Sequence, residues 1–168
     1  IYRSLDGGDT WTHVDGGVNP DIHGMAISLA DPKKVLASTP REIFATTDMG
    51  ESWQSVVKTD RFPLPYSRGI AIKPDDPNVI YSAIGDSAFG STGAIQRSTD
   101  GGETWETRPL PVEPNSNLWA ITTGPADPNL VLAASLFGEL YSSSDAGDSW
   151  QKYEREFSEV GALALVPN

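Results

Sequence analysis

Four aspartates recur in one local pattern and are the first residues to test for carboxylate chemistry. Each lies between hydroxyl residues, so it could act as an acid or base, or it could accept hydrogen bonds from a turn. Four equivalent copies cannot all belong to one active site, so the pattern favours a structural turn around Asp6, Asp48, Asp100 and Asp145. The copies read SLDGGDTW (4–11), TTDMGESW (46–53), STDGGETW (98–105) and SSDAGDSW (143–150).

The other conserved chemistry of the pattern is also typical of a turn. The glycine two positions after each aspartate tolerates a positive φ angle. The serine and threonine hydroxyls can form further local bonds to the backbone. We expect the tryptophan that ends each copy to open the next strand and to pack beneath the turn. These tryptophans are Trp11, Trp53, Trp105 and Trp150.

Catalytic carboxylates, if the chain has any, are expected in its predicted loops. Hydrolysis of a glycosidic bond needs two carboxyl groups about 5–10 Å apart across a cleft. The candidates are Asp21, Asp60, Asp86 and Glu156. Gly85-Asp86-Ser87 superficially resembles a block found in lipases and esterases. No histidine follows His23 to serve as the base, so a nucleophilic Ser87 is not expected.

Composition excludes several classes of function. The chain has 168 residues and a net charge of −11, which disfavours nucleic acid and anionic membrane surfaces as partners. It has no cysteine and only two histidines, so thiolate and histidine-rich metal sites are excluded, and no metal or cofactor is expected. No apolar run approaches the length of a membrane span, so membrane insertion is not expected.

The spacing of the four copies predicts the elements that carry them. Successive aspartates are 42, 52 and 45 residues apart. A period of this size, with many short strands, is typical of four-stranded propeller blades. A second repeated unit, seen as Gly24-Met-Ala-Ile and Gly69-Ile-Ala-Ile, leads into an Asp-Pro turn and a longer apolar run. Because no helical periodicity competes with these patterns, the sequence predicts an all-β fold.

The order of strands predicts three complete blades and one incomplete blade. The first segment supplies only a third and a fourth strand, and the last segment, from Gly161 to Val166, supplies only a first strand. A free blade edge favours pairing with another chain. Closure by a missing N-terminal half, closure by a second copy and a tight four-bladed ring all remain open. The predicted segments are 1–15, 22–57, 68–108, 117–157 and 161–168.

The eight-residue pattern resembles the Asp-box, also called the BNR repeat. This repeat occurs in sialidases, sortilin-type receptor domains, xyloglucan-degrading glycosidases and propellers similar to the photosystem II assembly factor. The resemblance covers nearly the whole chain at the level of the repeat. It implies that each box joins the third and fourth strands of a blade, in a ring of seven or eight blades. It also favours an extracytoplasmic location.

The resemblance implies two functions from different classes. One is a non-catalytic scaffold that binds a protein or glycan on the face opposite the boxes. The alternative is a fragment of a glycoside hydrolase, sialidase-like or xyloglucanase-like, with a carboxylate pair on that face. Sialidases would imply an Arg-Ile-Pro motif, which does not occur here. The predicted ligand-binding residues are His23, Arg41, Arg61, Tyr66, Arg68, Phe89, Asn117 and Trp119.

Overall fold

The computed structural model describes residues 1–14 and 16–166, and its regular structure is almost entirely β. The N-terminal hairpin pairs β1 (Tyr2–Arg3) with β2 (Thr12–His13). Blade 1 contains β3 (Gly24–Ile27), β4 (Val35–Ser38), β5 (Glu42–Thr46) and β6 (Gln54–Lys58). Blade 2 contains β7 (Tyr66–Lys73), β8 (Asp76–Gly85), β9 (Gly93–Ser98) and β10 (Glu106–Arg108). Blade 3 contains β11 (Leu118–Gly124), β12 (Asp127–Ser135), β13 (Leu140–Ser143) and β14 (Gln151–Lys152).

Each blade is an antiparallel sheet whose strands pair in sequence order. The predicted propeller fold, with three complete blades and one incomplete blade, is confirmed. The only regular helix among the described residues is a single 3-10 turn, Thr59–Arg61. In residues 1–14 and 16–166 there is no helix with the length and apolar character needed to cross a membrane.

The strand boundaries differ slightly from the prediction. Strands β8 and β12 begin at Asp76 and Asp127, earlier than the apolar runs that marked them. The reason is that residues of the Asp-Pro turn also join the ladder, as the pairing of Lys73 with Asp76 shows. Each fourth strand begins one residue after its tryptophan.

The predicted C-terminal strand is the main difference from expectation. Residues 161–166 form no regular strand, although the Leu165 side chain lies against Gly124 of β11. A first strand needs the second strand of its own blade to pair with. The described part of the chain offers no such strand after Gly161. The predicted segments 1–15 and 161–168 also include residues 15, 167 and 168, which lie outside the described residues.

The hydrophobic core fills the spaces between consecutive sheets. One cluster joins the N-terminal hairpin to blade 1, a second joins blades 1 and 2, and a third joins blades 2 and 3. Strand β8 takes part in two of them, because Ile80 and Ile84 face blade 1 while Tyr81 and Ala83 face blade 3. This double burial explains why the second strands read as continuous apolar runs.

The Asp-boxes and the Asp-Pro turns share one face of the molecule. In each blade a backbone N–H of the box donates to a carbonyl of the neighbouring first-to-second-strand turn. The pairs are Met49 to Lys33 at 3.2 Å, Gly101 to Asn78 at 2.9 Å and Ala146 to Asn129 at 2.9 Å. The opposite face therefore carries the loops that lead into each blade and the loops between second and third strands.

Candidate functional site

Each of the four repeated aspartates is bonded within its own turn. In the third box, the Asp100 carboxylate accepts hydrogen bonds from the Ser98 hydroxyl at 2.8 Å and from the Thr104 backbone N–H at 2.9 Å. The Thr104 hydroxyl donates to its second oxygen at 2.5 Å. The same three bonds recur around the other boxes. The four carboxylates serve four separate turns, which supports the structural interpretation of the pattern.

These bonds favour the ionised carboxylates. Hydrogen bonds from the hydroxyl and the backbone N–H of Thr10, with a further bond from Ser4, lower the pKa of Asp6 to about 2. The equivalent bonds from Thr104 and Ser98 lower the pKa of Asp100 to about 2. Bonds from Ser52 and Ser149, respectively, hold the pKa values of Asp48 and Asp145 well below their usual range. Each box carboxylate is therefore a charged hydrogen-bond acceptor and not a proton donor near neutral pH.

The tryptophans of the boxes differ more than their sequence suggests. The indole N–H donates to a box glycine carbonyl in three boxes, as from Trp105 to Gly102 at 2.9 Å. Trp53 instead lies in the core between the N-terminal hairpin and blade 1, and its indole nitrogen has no acceptor among the described residues. Trp11 is 62% exposed, so it covers little of its turn.

Hydrogen bonds from arginine side chains connect the boxes of adjacent blades. These contacts were not predicted from sequence. Met49 and Ala146 follow a box aspartate and adopt φ angles of 60° and 57°, which cost energy for residues other than glycine. The carbonyl of Met49 accepts a bond from the Arg3 guanidinium, and that of Ala146 accepts one from Arg97, each at 2.9 Å. The sequence feature that could have predicted these contacts is an arginine directly before two of the four boxes.

Five side chains predicted from sequence meet on the opposite face, where blades 1, 2 and 3 approach one another. We call this group the mouth cluster, and it consists of Asp21, His23, Tyr66, Arg68 and Trp119. The His23 side chain is 8% exposed, and its Nδ1 lies 2.9 Å from the Ser67 carbonyl oxygen, so Nδ1 carries the proton. Its Nε2 lies 3.4 Å from Asp21 Oδ1 and 3.5 Å from the Tyr66 hydroxyl.

The second half of the mouth cluster is a cation on an aromatic ring. The Arg68 guanidinium carbon lies 3.9 Å from the centre of the Trp119 ring, within the range of a cation–π contact. Burial raises the pKa of Tyr66, and the nearby charge of Arg68 offsets part of that effect. The cluster therefore presents aromatic surface, a hydroxyl, the Arg68 guanidinium and the Asp21 carboxylate.

The backbone brings these residues together because the inner strands lie very close. A Cβ atom on Gly24 of β3 would lie 3.0 Å from the Arg68 carbonyl oxygen, so only glycine fits without displacement. The Ser38 hydroxyl of β4 also donates to that carbonyl oxygen at 2.9 Å. The first residues of neighbouring inner strands consequently share one surface.

Three further predicted residues lie apart from the mouth cluster. Arg41 and Asp60 line a small cleft of about 260 Å³ beside the 3-10 turn. Arg61 ends that turn, and all three residues are exposed. Of the four candidate carboxylates, Asp60 alone lines this cleft.

The long loop between β8 and β9 contains two more of the predicted residues, Asp86 and Phe89, and a third, Asn117, packs against it from the start of β11. Asp86 accepts bonds from the backbone N–H of Ser87 at 3.1 Å and from that of Ser91 at 3.3 Å, so it shapes its own loop. Asn117 is fully buried, and its amide donates to two carbonyls of the loop, so it has no exposed surface for a ligand. Phe89 stands at the loop tip and is 81% exposed.

The last candidate carboxylate belongs to an ionic group at the outer part of blade 3. Glu156 and the buried Glu139 both bind the Lys152 ammonium, at 2.8 and 2.7 Å. Glu139 also accepts bonds from the Tyr141 hydroxyl at 2.7 Å and the Asn115 backbone N–H at 2.9 Å. Both carboxylate oxygens of Glu139 therefore accept hydrogen bonds within the protein. Glu139 was not among the residues predicted from sequence. The sequence feature that could have indicated it is the glutamate at the start of the third-strand pattern, which Glu42 shares in blade 1.

The four candidate carboxylates are therefore held by four different local structures. Asp21 lies at the mouth cluster, Asp60 on the 3-10 turn, Asp86 within its loop and Glu156 against Lys152. The described residues, 1–14 and 16–166, also contain no group of three or more histidine, cysteine, aspartate or glutamate side chains placed to hold a metal ion.

Comparison with known proteins gives several relatives of one repeat type. The chain is 34% identical over 148 residues to xyloglucanase Xgh74A of Acetivibrio thermocellus, covering 75% of this chain and 18% of that protein. It is 30% identical over 165 residues to sortilin of Danio rerio, covering 90% of this chain and 20% of that protein. The chain thus spans about a fifth of the length of the curated relatives it matches.

Solved structures confirm the fold, and a family model identifies the family. An ancestral GH74 enzyme superposes with a TM-score of 0.70 at 23% identity, over 89% of this chain and 20% of the enzyme. YCF48 bound to a D1 peptide superposes with a TM-score of 0.58 at 20% identity, over 79% of this chain and 40% of that chain. The family model described as photosynthesis system II assembly factor YCF48 matches residues 1–159. The chain therefore belongs to this family of BNR, or Asp-box, β-propellers.

Proposed function

We propose that these blades form a non-catalytic binding surface whose centre is the mouth cluster. The observation that carries this proposal is the convergence of His23, Tyr66, Arg68 and Trp119 from three blades onto one surface. Aromatic faces, a hydroxyl and a guanidinium can hold either a peptide or a sugar in place. A protein or glycan ligand is supported by relatives of both kinds, the peptide-bound YCF48 and the xyloglucanases.

Binding is favoured over catalysis because the four candidate carboxylates lie in four different places and do not meet at one cleft. A glycoside hydrolase needs an acid and a base facing one sugar bond. Asp86 and Glu156 are each held in local bonds, and only Asp21 adjoins the mouth cluster. The mouth cluster can thus orient a ligand, but one carboxylate does not supply the pair.

Variants of the mouth cluster test this function. The chain is screened for binding to a peptide library, to xyloglucan oligosaccharides and to sialylated glycans. For the ligands that bind, we expect Arg68→Ala and Trp119→Ala each to weaken the affinity at least about tenfold, as central aromatic and arginine contacts do. Lys33→Ala, an exposed change on the Asp-box face, is the control and should bind as the original chain does. Unchanged affinity in both cluster variants would contradict the proposal.

The alternative function is part of a glycoside hydrolase whose acid and base lie partly on other blades. It is favoured by the sequence identity to xyloglucanases, of which this chain covers less than a fifth. Turnover of xyloglucan or of aryl glycosides by this chain, abolished by Asp21→Asn or Asp60→Asn, would support the hydrolase and overturn the binding proposal.

Further blades are proposed to complete the ring beside the N-terminal hairpin. Apolar side chains on that side are exposed, among them Tyr2, Ile27 and Leu29. Covering them with blades from a second copy or from a longer form of the protein would bury this surface. Light scattering tests completion by a second copy, which predicts a dimer of the isolated chain. A monomer contradicts that completion and leaves a closed four-bladed ring or blades from a longer form of the protein.

A further inference from the structure

Three exposed phenylalanines lie on the face opposite the Asp-boxes, outside the mouth cluster. Phe89 is in the β8–β9 loop, Phe137 is in the β12–β13 loop and Phe157 follows β14. We call these residues the phenylalanine patch. Single exposed apolar side chains are common on proteins, whereas several on adjoining loops mark an interaction surface.

One buried residue holds two of these loops together. The Asn117 side-chain nitrogen donates to the carbonyls of Ser87 at 3.3 Å and Ala88 at 3.0 Å, directly before Phe89. The Asn117 backbone carbonyl accepts a bond from Leu136 N–H at 3.0 Å, directly before Phe137. Phe89 and Phe137 are therefore positioned by the same residue, from opposite sides.

The third phenylalanine is joined to the same structure. Phe157 N–H donates to the Gly138 carbonyl at 3.0 Å, and Val160 N–H donates to the Leu136 carbonyl at 3.2 Å. The Ser116 hydroxyl accepts a bond from Phe137 N–H at 3.1 Å. The three loops are thus bonded edge to edge. Fixed loops lose little conformational entropy on binding, which favours affinity.

The charges around the phenylalanine patch indicate what kind of partner fits it. Its loops and the adjoining 109–117 loop carry five exposed acidic side chains and one exposed arginine, Arg155. An acidic surface around an apolar centre complements lysine and arginine next to apolar side chains. The acidic residues are Asp86, Glu113, Glu154, Glu156 and Glu159, of which Asp86 is bonded within its loop and Glu156 is paired with Lys152.

We propose that the phenylalanine patch is a docking surface for a basic, apolar-containing peptide segment of a partner protein. The phenylalanine rings cover apolar side chains of the segment, and the surrounding carboxylates pair with its lysine or arginine side chains. The patch acts independently of the mouth cluster, so either proposal can fail without the other.

A designed peptide tests this surface directly. The probe is a fluorescein-labelled peptide of alternating lysine and leucine, titrated with the chain at physiological ionic strength and followed by anisotropy. We expect the double substitution Phe89→Ser with Phe137→Ser to weaken binding at least about tenfold. Glu154→Gln with Glu159→Gln should weaken binding and also reduce its salt dependence.

Two controls separate this contact from general attraction to an acidic protein. Leu5→Ser removes an exposed apolar side chain on the Asp-box face and should leave binding unchanged. A peptide with serine in place of leucine, at the same charge, should bind at least about tenfold more weakly. The thermal midpoint of each variant confirms folding. Equal binding of the serine peptide, or no loss in the phenylalanine variant, overturns the proposal. Binding of a xyloglucan oligosaccharide that depends on Phe89 and Phe137, without peptide binding, also overturns it.

Discussion

At the scale of the residue, one aspartate carboxylate organises each Asp-box. It accepts several hydrogen bonds of the turn, and a neutral side chain would accept them more weakly. The Asp100 oxygens receive two bonds from Thr104 and one from Ser98, and the Ser98 hydroxyl in turn accepts a bond from Gly102 N–H at 2.8 Å. Charged acceptors form stronger hydrogen bonds than neutral ones. The aspartate therefore recurs in all four copies because each turn needs a charged acceptor at that position.

The lowered pKa values of the boxes predict a specific loss of stability in acid. In the unfolded chain an aspartate has a pKa near 3.8, while in the folded chain the pKa of Asp100 is about 2. The carboxylate therefore stabilises the fold fully above about pH 4, and this contribution is lost as the pH falls toward 2. We expect the thermal midpoint to fall over this range and Asp100→Ala to show a shallower dependence.

The control for the acid prediction is Asp60→Ala, which removes an exposed carboxylate outside the boxes. It should retain the slope of the original chain between pH 4 and 2. Near neutral pH, Asp100→Ala should lower the thermal midpoint by roughly 5 °C, whereas Asp60→Ala should not. Equal slopes for Asp100→Ala and the original chain would contradict the assignment of the acid loss to the boxes.

At the scale of the element, the blades are joined by arginine side chains that reach from the third and fourth strands of one blade to the box of the next. Arg97 of β9 binds the Ala146 carbonyl and also Glu106 and Asp148, at 2.8 and 2.9 Å. Arg108 adds bonds to the Gly147 carbonyl and to Asp148. These contacts hold a backbone turn that contains a residue other than glycine at positive φ.

Replacement of Arg97 is therefore expected to destabilise the contact between blades 2 and 3. We expect Arg97→Ala to lower the free energy of unfolding by about 1–3 kcal/mol, because it removes bonds from a largely buried guanidinium to a carbonyl and two carboxylates. Lys58→Ala, an exposed cation on β6, should change it by less than about 0.5 kcal/mol. Chemical denaturation measures both. Similar values for the two variants would show that the bridge does not stabilise the fold.

The sequence predicted the blades but not the contacts between them. The period of the boxes and the Asp-Pro turns are local signals, so strand order and the two faces of the molecule could be predicted from them. The contact of His23 with Tyr66 joins residues 43 positions apart, and no local pattern encodes it. Asn117 occupies a position equivalent to His23, yet it is buried because the longer loop of the preceding blade folds over it.

At the scale of the whole molecule, blade 2 is the centre of the described structure. Its inner strand β7 packs against β3 of blade 1 and against β11 of blade 3. The side chains of β8 alternate between two hydrophobic clusters, so this strand is buried on both faces. The N-terminal hairpin has only two residues in each strand and exposes Tyr2 and Trp11.

This arrangement predicts an order of local opening. Amide hydrogen exchange measures the free energy of opening, which is highest where a strand is enclosed by packed neighbours. We expect the amides of β8 to exchange most slowly and those of the N-terminal hairpin most rapidly, with β4 in between. Ile80→Ala should accelerate exchange in β8 and β4 together, because Ile80 is fully buried between blades 1 and 2. The matched change Ile27→Ala, at a side chain that is 60% exposed, should leave both strands protected. Uniform protection along the chain would contradict this order and show that the whole chain opens as one unit. Acceleration confined to β8 would show that the blades open as independent sheets and not through their shared clusters.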